Sequence, residues 1–126
     1  MEEPFRILIL EDRASDAGLM EFELQEANIP FISKRVTTEA DFVRSLHEFS
    51  PDLILSDYDL PQYDGSLALF WAKALCSQTP FILVTGAIDE KIAKNIINEG
   101  ANGYVMKSQL HELVPAVRRS LNITCQ

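Results

Sequence analysis

The chain has 126 residues, 47% of them apolar and 24% charged, with a formal net charge of −8. That profile fits one globular domain over residues 1–126, with a sizeable core and no room for a second. The acidic balance argues against direct binding to nucleic acid or to an anionic membrane, and part of it is available for a cation site. Cys76 and Cys125 match no metal spacing or redox motif and suit a reducing compartment. Met1 to Pro4 is acidic, the apolar run Ile7 to Leu10 is too short for a signal peptide, and no stretch approaches membrane-spanning length. The expected location is the cytoplasm, where the sequon Asn122-Ile123-Thr124 has no meaning.

In chain order, Phe5 to Leu10 reads as a buried strand that hands over abruptly to Glu11-Asp12. Ser15 or Asp16 is expected to cap a helix running to about Ala27, with Ala17, Met20, Leu24 and Ala27 on its inner face and Asn28 and Pro30 ending it. Phe31 to Val36 includes Ser33, Lys34 and Arg35 and reads as an edge strand. Thr38 caps a second helix, in which Phe42, Leu46 and Phe49 recur at helical spacing before Pro51 closes it. Leu53 to Leu55 is a short buried strand that delivers Asp57, and Asp59 after it; Pro61 stops the ladder, and Asp64-Gly65 supplies turn chemistry.

A third helix from about Ser66 to Cys76 is apolar nearly all round, and its Leu67, Leu69, Phe70, Trp71 and Leu75 are expected to pack against the sheet, the alternative being a docking patch. Phe81 to Val84 is another buried strand, ending in Thr85-Gly86-Ala87. Asp89 caps a fourth helix through Ile92, Ala93, Ile96 and Ile97, stopped by Gly100. Gly103 to Met106 is a fifth strand ending at Lys107, and Ser108 is expected to cap a fifth helix carrying Leu110, Leu113, Val117 and Leu121. Pro115 inside that helix removes a backbone hydrogen bond, at a cost of roughly 3 kcal/mol unless the first turns are irregular. His47 and His111 fall on exposed helix positions. Alternation of strand and helix with buried strands indicates a parallel sheet covered on both faces.

Four strands end in reactive groups: Glu11 and Asp12, Asp57, Thr85, and Lys107. Singly each is bland, since an acid after a strand is usually a cap or a solvated charge. Together they converge on the edge of a parallel sheet where ligands bind. Two carboxylates about 5 Å apart repel by roughly 3 kcal/mol at an effective dielectric near 20, and three such pairs by on the order of 10 kcal/mol, comparable to a domain's stability. A cation is required among them. Lys107 offsets part of the repulsion, and hard oxygen ligands suit Mg²⁺. A magnesium ion beside an aspartate, with a hydroxyl and an ammonium nearby, is equipped for phosphoryl transfer.

From about Phe5 to Leu121 the chain resembles a response-regulator receiver domain. The matching motifs are Glu11-Asp12, the Asp57…Pro61…Asp64-Gly65 block, Thr85-Gly86-Ala87, and Gly100-Ala101 followed by Tyr104…Lys107. The resemblance implies an α/β, (βα)5 flavodoxin-like fold with a doubly wound five-stranded parallel sheet of order 2-1-3-4-5. It implies that Asp57 accepts a phosphoryl group from a phosphohistidine on a sensor histidine kinase or a histidine phosphotransfer domain, with no chemistry beyond its own phosphorylation and dephosphorylation. By the same resemblance Mg²⁺ is held by Asp12, Asp57 and the backbone carbonyl of Asp59, with Glu11 acting through water. Lys107 contacts the phosphoryl group, and Thr85 and Tyr104 form a switch that alters the surface of the fourth helix, fifth strand and fifth helix, toward a homodimer or an effector domain.

Two departures from the family pattern stand out. Lys107 is followed by Ser108 where the family usually has proline after a cis bond; a cis bond to Ser108 costs about 3 kcal/mol, so trans is expected unless the strain serves a purpose. Asp59 places a carboxylate two residues past the acceptor, where it either repels anionic donors or orients water. Two rivals share some features. Asp57-Tyr58-Asp59 resembles the Asp-x-Asp of haloacid-dehalogenase-type phosphatases, but there the motif strand comes first and acids follow late in the chain. A flavodoxin-type cofactor binder would place phosphate after the first strand, where Glu11-Asp12 repels it.

Overall fold

The computed structural model describes residues 3–60, 63–86 and 89–123. Its elements are β1 (Phe5–Leu10), α1 (Ala14–Glu26), β2 (Phe31–Val36), α2 (Glu39–Glu48), β3 (Leu53–Ser56), α3 (Gly65–Leu75), β4 (Phe81–Thr85), α4 (Glu90–Asn98), β5 (Gly103–Met106), a 3₁₀ segment over Lys107–Glu112 and α5 (Leu113–Leu121). The strands form one parallel sheet of order β2-β1-β3-β4-β5, as the resemblance implied. Three strands (β1, β3 and β4) lie inside this sheet and carry its most apolar runs, whereas β2, with Ser33, Lys34 and Arg35, lies at the edge.

Strand pleat assigns the two layers. Ile7 and Ile9 of β1, Leu53 and Leu55 of β3 and Ile82 and Val84 of β4 pack with Ala17, Met20 and Leu24 of α1 and Ala116 and Val117 of α5. The alternate residues Leu8, Leu10, Ile54, Phe81 and Leu83 meet Phe42 and Leu46 of α2, Ala68, Leu69 and Ala72 of α3 and Ile96 of α4. Helices on both faces bury both sides of the central strands, which is why those strands are continuously apolar.

Local chemistry explains most element ends. The Thr38 side chain accepts from the Asp41 backbone N–H, Asp64 from Ser66 and Leu67, and Asp89 from Lys91, capping α2, α3 and α4. The start of α1 differs from expectation: Arg13 holds the cap position without a side-chain hydrogen bond, and Ser15 and Asp16 lie inside the first turn. Ser108 likewise caps nothing. The chain turns from β5 directly into the 3₁₀ segment, so Pro115 falls in the first turn of α5, where its missing N–H has no intrahelical partner to lose.

Only part of α3 packs as expected. Ala68, Leu69 and Ala72 are buried, but Phe70 is 61% exposed and Leu75 is also exposed. Trp71 is half-buried, edge-on to Phe70, and its indole N–H donates to Glu39 Oε2 at 2.7 Å. One helix face suffices to cover the sheet, and the remaining apolar residues are left over. His47 and His111 are exposed. No peptide bond among the described residues is cis, and Lys107–Ser108 is trans. Pro61, Ala87, Thr124 and Cys125 lie outside the described residues. No helix among the described residues is long and apolar enough to cross a membrane.

Gly100 ends α4 with φ +119, a backbone region that side chains disfavour, and a Cβ there meets Lys73 Cε at 2.9 Å. The lysine end can move aside but the backbone cannot. Gly100→Ala is therefore expected to cost about 1–3 kcal/mol in urea unfolding. Adding Lys73→Ala should recover little of that loss; full recovery would place the cost in the steric contact instead.

Candidate functional site

The site forms where β1, β3, β4 and β5 end. The backbone N–H of Glu11 donates to Val36 O at 3.1 Å and that of Asp57 to Leu10 O at 3.0 Å, so both acids are fixed by the sheet and not by a loose loop. Arg35 Nη1 donates to the Glu11 carbonyl at 3.0 Å. The Glu11 side chain is fully buried, and its Oε2 accepts from the Arg13 backbone N–H at 3.1 Å. Asp57 is 6% exposed; its Oδ1 accepts from the backbone N–H groups of Tyr58 at 2.7 Å and Asp59 at 3.4 Å. Asp12 and Asp59 are exposed, and Asp59 forms an isolated bridge to Asp64.

Lys107 sits in the middle. Its Nζ lies 2.6 Å from Glu11 Oε1, 2.8 Å from Asp16 Oδ2 and 3.1 Å from Asp57 Oδ2. Burial by itself lowers the pKa of this ammonium, but the hydrogen bonds to Asp16, Glu11 and Asp57 outweigh burial and hold it above 10.5. Glu11 moves the other way from an ordinary acid in an ion pair: burial raises its pKa above 4.5, with the Asp57 charge adding to the rise, against the lowering pull of Lys107 and the Arg13 N–H. One carboxylate oxygen from each of Glu11, Asp12 and Asp57 falls within 4.8 Å of the others, a donor set of hard oxygens that fits a divalent cation. The Thr85 hydroxyl ends β4 fully buried and without a hydrogen-bond partner among the described residues.

Tyr104 lies on β5 opposite Leu83 while Met106 lies opposite Thr85, so Tyr104 and Thr85 are on the same face of adjacent strands. The tyrosine is 44% exposed. The expected residues are thus assembled at one sheet edge, with Tyr104 turned outward. Asp16 is the addition: the sequence presented it as a helix cap, yet it reaches Lys107. A usable signal was present, because α1 starts at the carboxyl edge of the sheet and an acid one residue before buried Ala17 borders that edge.

A doubly wound sheet of this order with an acidic pocket at its carboxyl edge defines the architecture, and sequence comparison supplies the family. The family model of the response regulator receiver domain matches residues 7–118, and the chain belongs to that family. Bacillus subtilis (strain 168) chemotaxis protein CheY is 26% identical over 118 residues, covering 93% of this chain and 98% of CheY. The transcriptional regulatory protein YvcP of the same organism is 29% identical over 119 residues, covering 93% of this chain and 48% of YvcP, so the chain spans about half the length of that relative. Among solved structures, the receiver domain of sensor histidine kinase PA1611 from Pseudomonas aeruginosa PAO1 superimposes with a TM-score of 0.79 at 25% identity, covering 94% of this chain and 98% of that one. That structure contains a magnesium ion coordinated in its active-site cleft.

Removing the cation should expose the repulsion it offsets. Lys107→Met is expected to destabilise the metal-free protein by about 2–3 kcal/mol at neutral pH, since Glu11, Asp57 and Asp16 lose their shared partner. Because the pKa of Glu11 is raised, folding favours its protonated form: that contribution is complete below 4.5 and is lost as pH rises through its folded value. The deficit of Lys107→Met should therefore shrink on acidification. The Lys107 ammonium keeps its own proton across that range, since its folded pKa is raised above 10.5, so the change arises from its acidic partners. Urea melts at several pH values test this; a deficit independent of pH between neutral and acid would contradict it.

Proposed function

We propose that Asp57 is the phosphoacceptor of a two-component phosphorelay, receiving its phosphoryl group from the phosphohistidine of a sensor histidine kinase or histidine phosphotransfer domain in the cytoplasm. The observation that carries this reading is the placement of Asp57, with a carboxylate oxygen within 4.8 Å of those of Glu11 and Asp12 and a hydrogen bond from Lys107. An Asp57 oxygen attacks phosphorus, the O–P bond forms as the N–P bond breaks, and the imidazole leaves with the electron pair. Backbone N–H groups of Tyr58 and Asp59 orient the carboxylate, and the Lys107 ammonium faces its other oxygen, where charge on the phosphoryl group must be neutralised.

Asp12, Asp57 and the backbone carbonyl of Asp59 would hold Mg²⁺, with Glu11 reaching it through water. The bound ion supplies further charge neutralisation at the phosphoryl oxygens. The buried Thr85 hydroxyl donates to one of those oxygens, a stronger acceptor than any neutral group. Movement of Thr85 vacates space on the face it shares with Tyr104, and the ring turns inward, remodelling the surface of α4, β5 and α5. Only a few kcal/mol of differential interaction reverses a modest two-state bias. A homodimer or an effector domain reads that surface, and the only chemistry is the domain's own phosphorylation and dephosphorylation.

Incubation with phosphoramidate and Mg²⁺ should add one phosphoryl mass, labile to base, and Asp57→Asn should abolish it. Label persisting on Asp12 or Asp59 would reject the assignment. Asp12→Ala should also remove the rise in melting temperature caused by Mg²⁺.

The switch is tested separately by NMR. Shifts on phosphorylation should spread from Thr85 and Gly86 along α4 and to Tyr104, whereas Thr85→Ala should accept the phosphoryl group and lose most of the remote shifts. Survival of the remote response in both Thr85→Ala and Tyr104→Ala would route the coupling elsewhere.

A further inference from the structure

The Lys107 ammonium has three carboxylate neighbours: it donates hydrogen bonds to Asp16 and Asp57 and forms an ion pair with Glu11. The three partners differ in what else they do. Glu11 and Asp57 belong to the carboxylate set that fits a cation, and Asp57 is the proposed acceptor. A divalent ion competes for both, and phosphorylation turns one Asp57 oxygen into the bridging oxygen of an acyl phosphate, moving its charge onto the phosphoryl group. Asp16 lies outside that set. Its contact with Lys107 at 2.8 Å therefore competes with neither event.

Asp16 is also well placed to hold a lysine still. It lies in the first turn of α1, its backbone N–H donates to Arg13 O at 3.1 Å, and its neighbour Ala17 is buried in the core. The anchor is thus carried by a helix packed on the sheet, while Lys107 has a flexible four-carbon stem.

Resting on the phosphoacceptor reading above, we propose that Asp16 is a positioning residue that fixes the Lys107 ammonium beside Asp57 through metal binding and phosphoryl transfer, acting only through Lys107. The competing account is a generic charge: an acid at a helix N-terminus stabilises the helix, and one near the site repels an anionic donor. The two accounts differ in sign and in their dependence on Lys107.

The test compares phosphorylation rates from phosphoramidate with Mg²⁺ in the wild type, Asp16→Asn, Asp16→Glu, Lys107→Ala and the Asp16→Asn, Lys107→Ala double variant. Loss of one charge-assisted hydrogen bond should slow Asp16→Asn on the order of tenfold. Asp16→Glu should regain part of the rate, and in the Lys107→Ala background the same Asn substitution should have no effect. Alongside this, the Lys107 ammonium signal of ¹⁵N-lysine-labelled protein without metal should be protected from exchange in the wild type and lose that protection in Asp16→Asn. Faster phosphorylation in Asp16→Asn, an equal change in both lysine backgrounds, or an unchanged ammonium signal would overturn the proposal. A wild type that takes no phosphoryl group would defeat the phosphoacceptor reading instead, and the ammonium signal would still decide the Asp16–Lys107 contact.

Discussion

Placing buried Glu11 against nearly buried Asp57 is the constraint on which the rest of the structure depends. Two carboxylates in that position repel each other, and burial raises the pKa of Glu11. Lys107 makes the arrangement tolerable by contacting both and drawing in Asp16. The ammonium thereby acquires a pKa above its ordinary value despite being largely withdrawn from water. The site is an electrostatic compromise in which no member is independent of the others.

The sheet supplies the rigidity that such a compromise needs. Glu11 and Asp57 follow immediately on β1 and β3, and their backbone N–H groups extend the ladder to Val36 and Leu10 beyond the last strand residues. Thr85 closes β4 and Lys107 follows β5. Four parallel strands end at one edge, so the chemistry is assembled by topology from residues far apart in sequence. The Thr85 hydroxyl remains without a hydrogen-bond partner among the described residues, as does Glu11 Oε1, which instead lies 2.6 Å from the Lys107 ammonium. A buried hydroxyl in that state costs stability, and the cost is consistent with a donor kept for an acceptor that arrives later.

The transition from β5 to α5 shows local sequence and tertiary context acting together. Lys107 must point into the pocket, and the 3₁₀ segment that begins there carries the chain away without asking for a capped helix start. Pro115 then occupies the first turn of α5, so the irregular segment and the proline are mutually consistent. The surplus apolar surface of α3, with Phe70 exposed beside Trp71, has no such internal explanation; the helix is more apolar than the sheet requires.

Sequence alone determined the strands, because uninterrupted apolar runs such as Ile7–Leu10 and Phe81–Val84 have few alternatives to a covered parallel sheet. It determined the caps at Thr38 and Asp89 and the helix stop at Gly100, where local hydrogen bonding or a positive φ decides the outcome within a few residues. The acids, Thr85 and Lys107 were legible because each directly follows or ends a strand. Tertiary structure alone decided the rest. Whether Asp16 caps a helix or pairs with Lys107, 91 residues away, depends on how α1 lies over the sheet edge. Whether Phe70 is buried depends on which arc of an all-apolar helix meets the sheet. Periodicity reports a residue's own neighbourhood, whereas these outcomes are set by the competition among partners that the fold brings together.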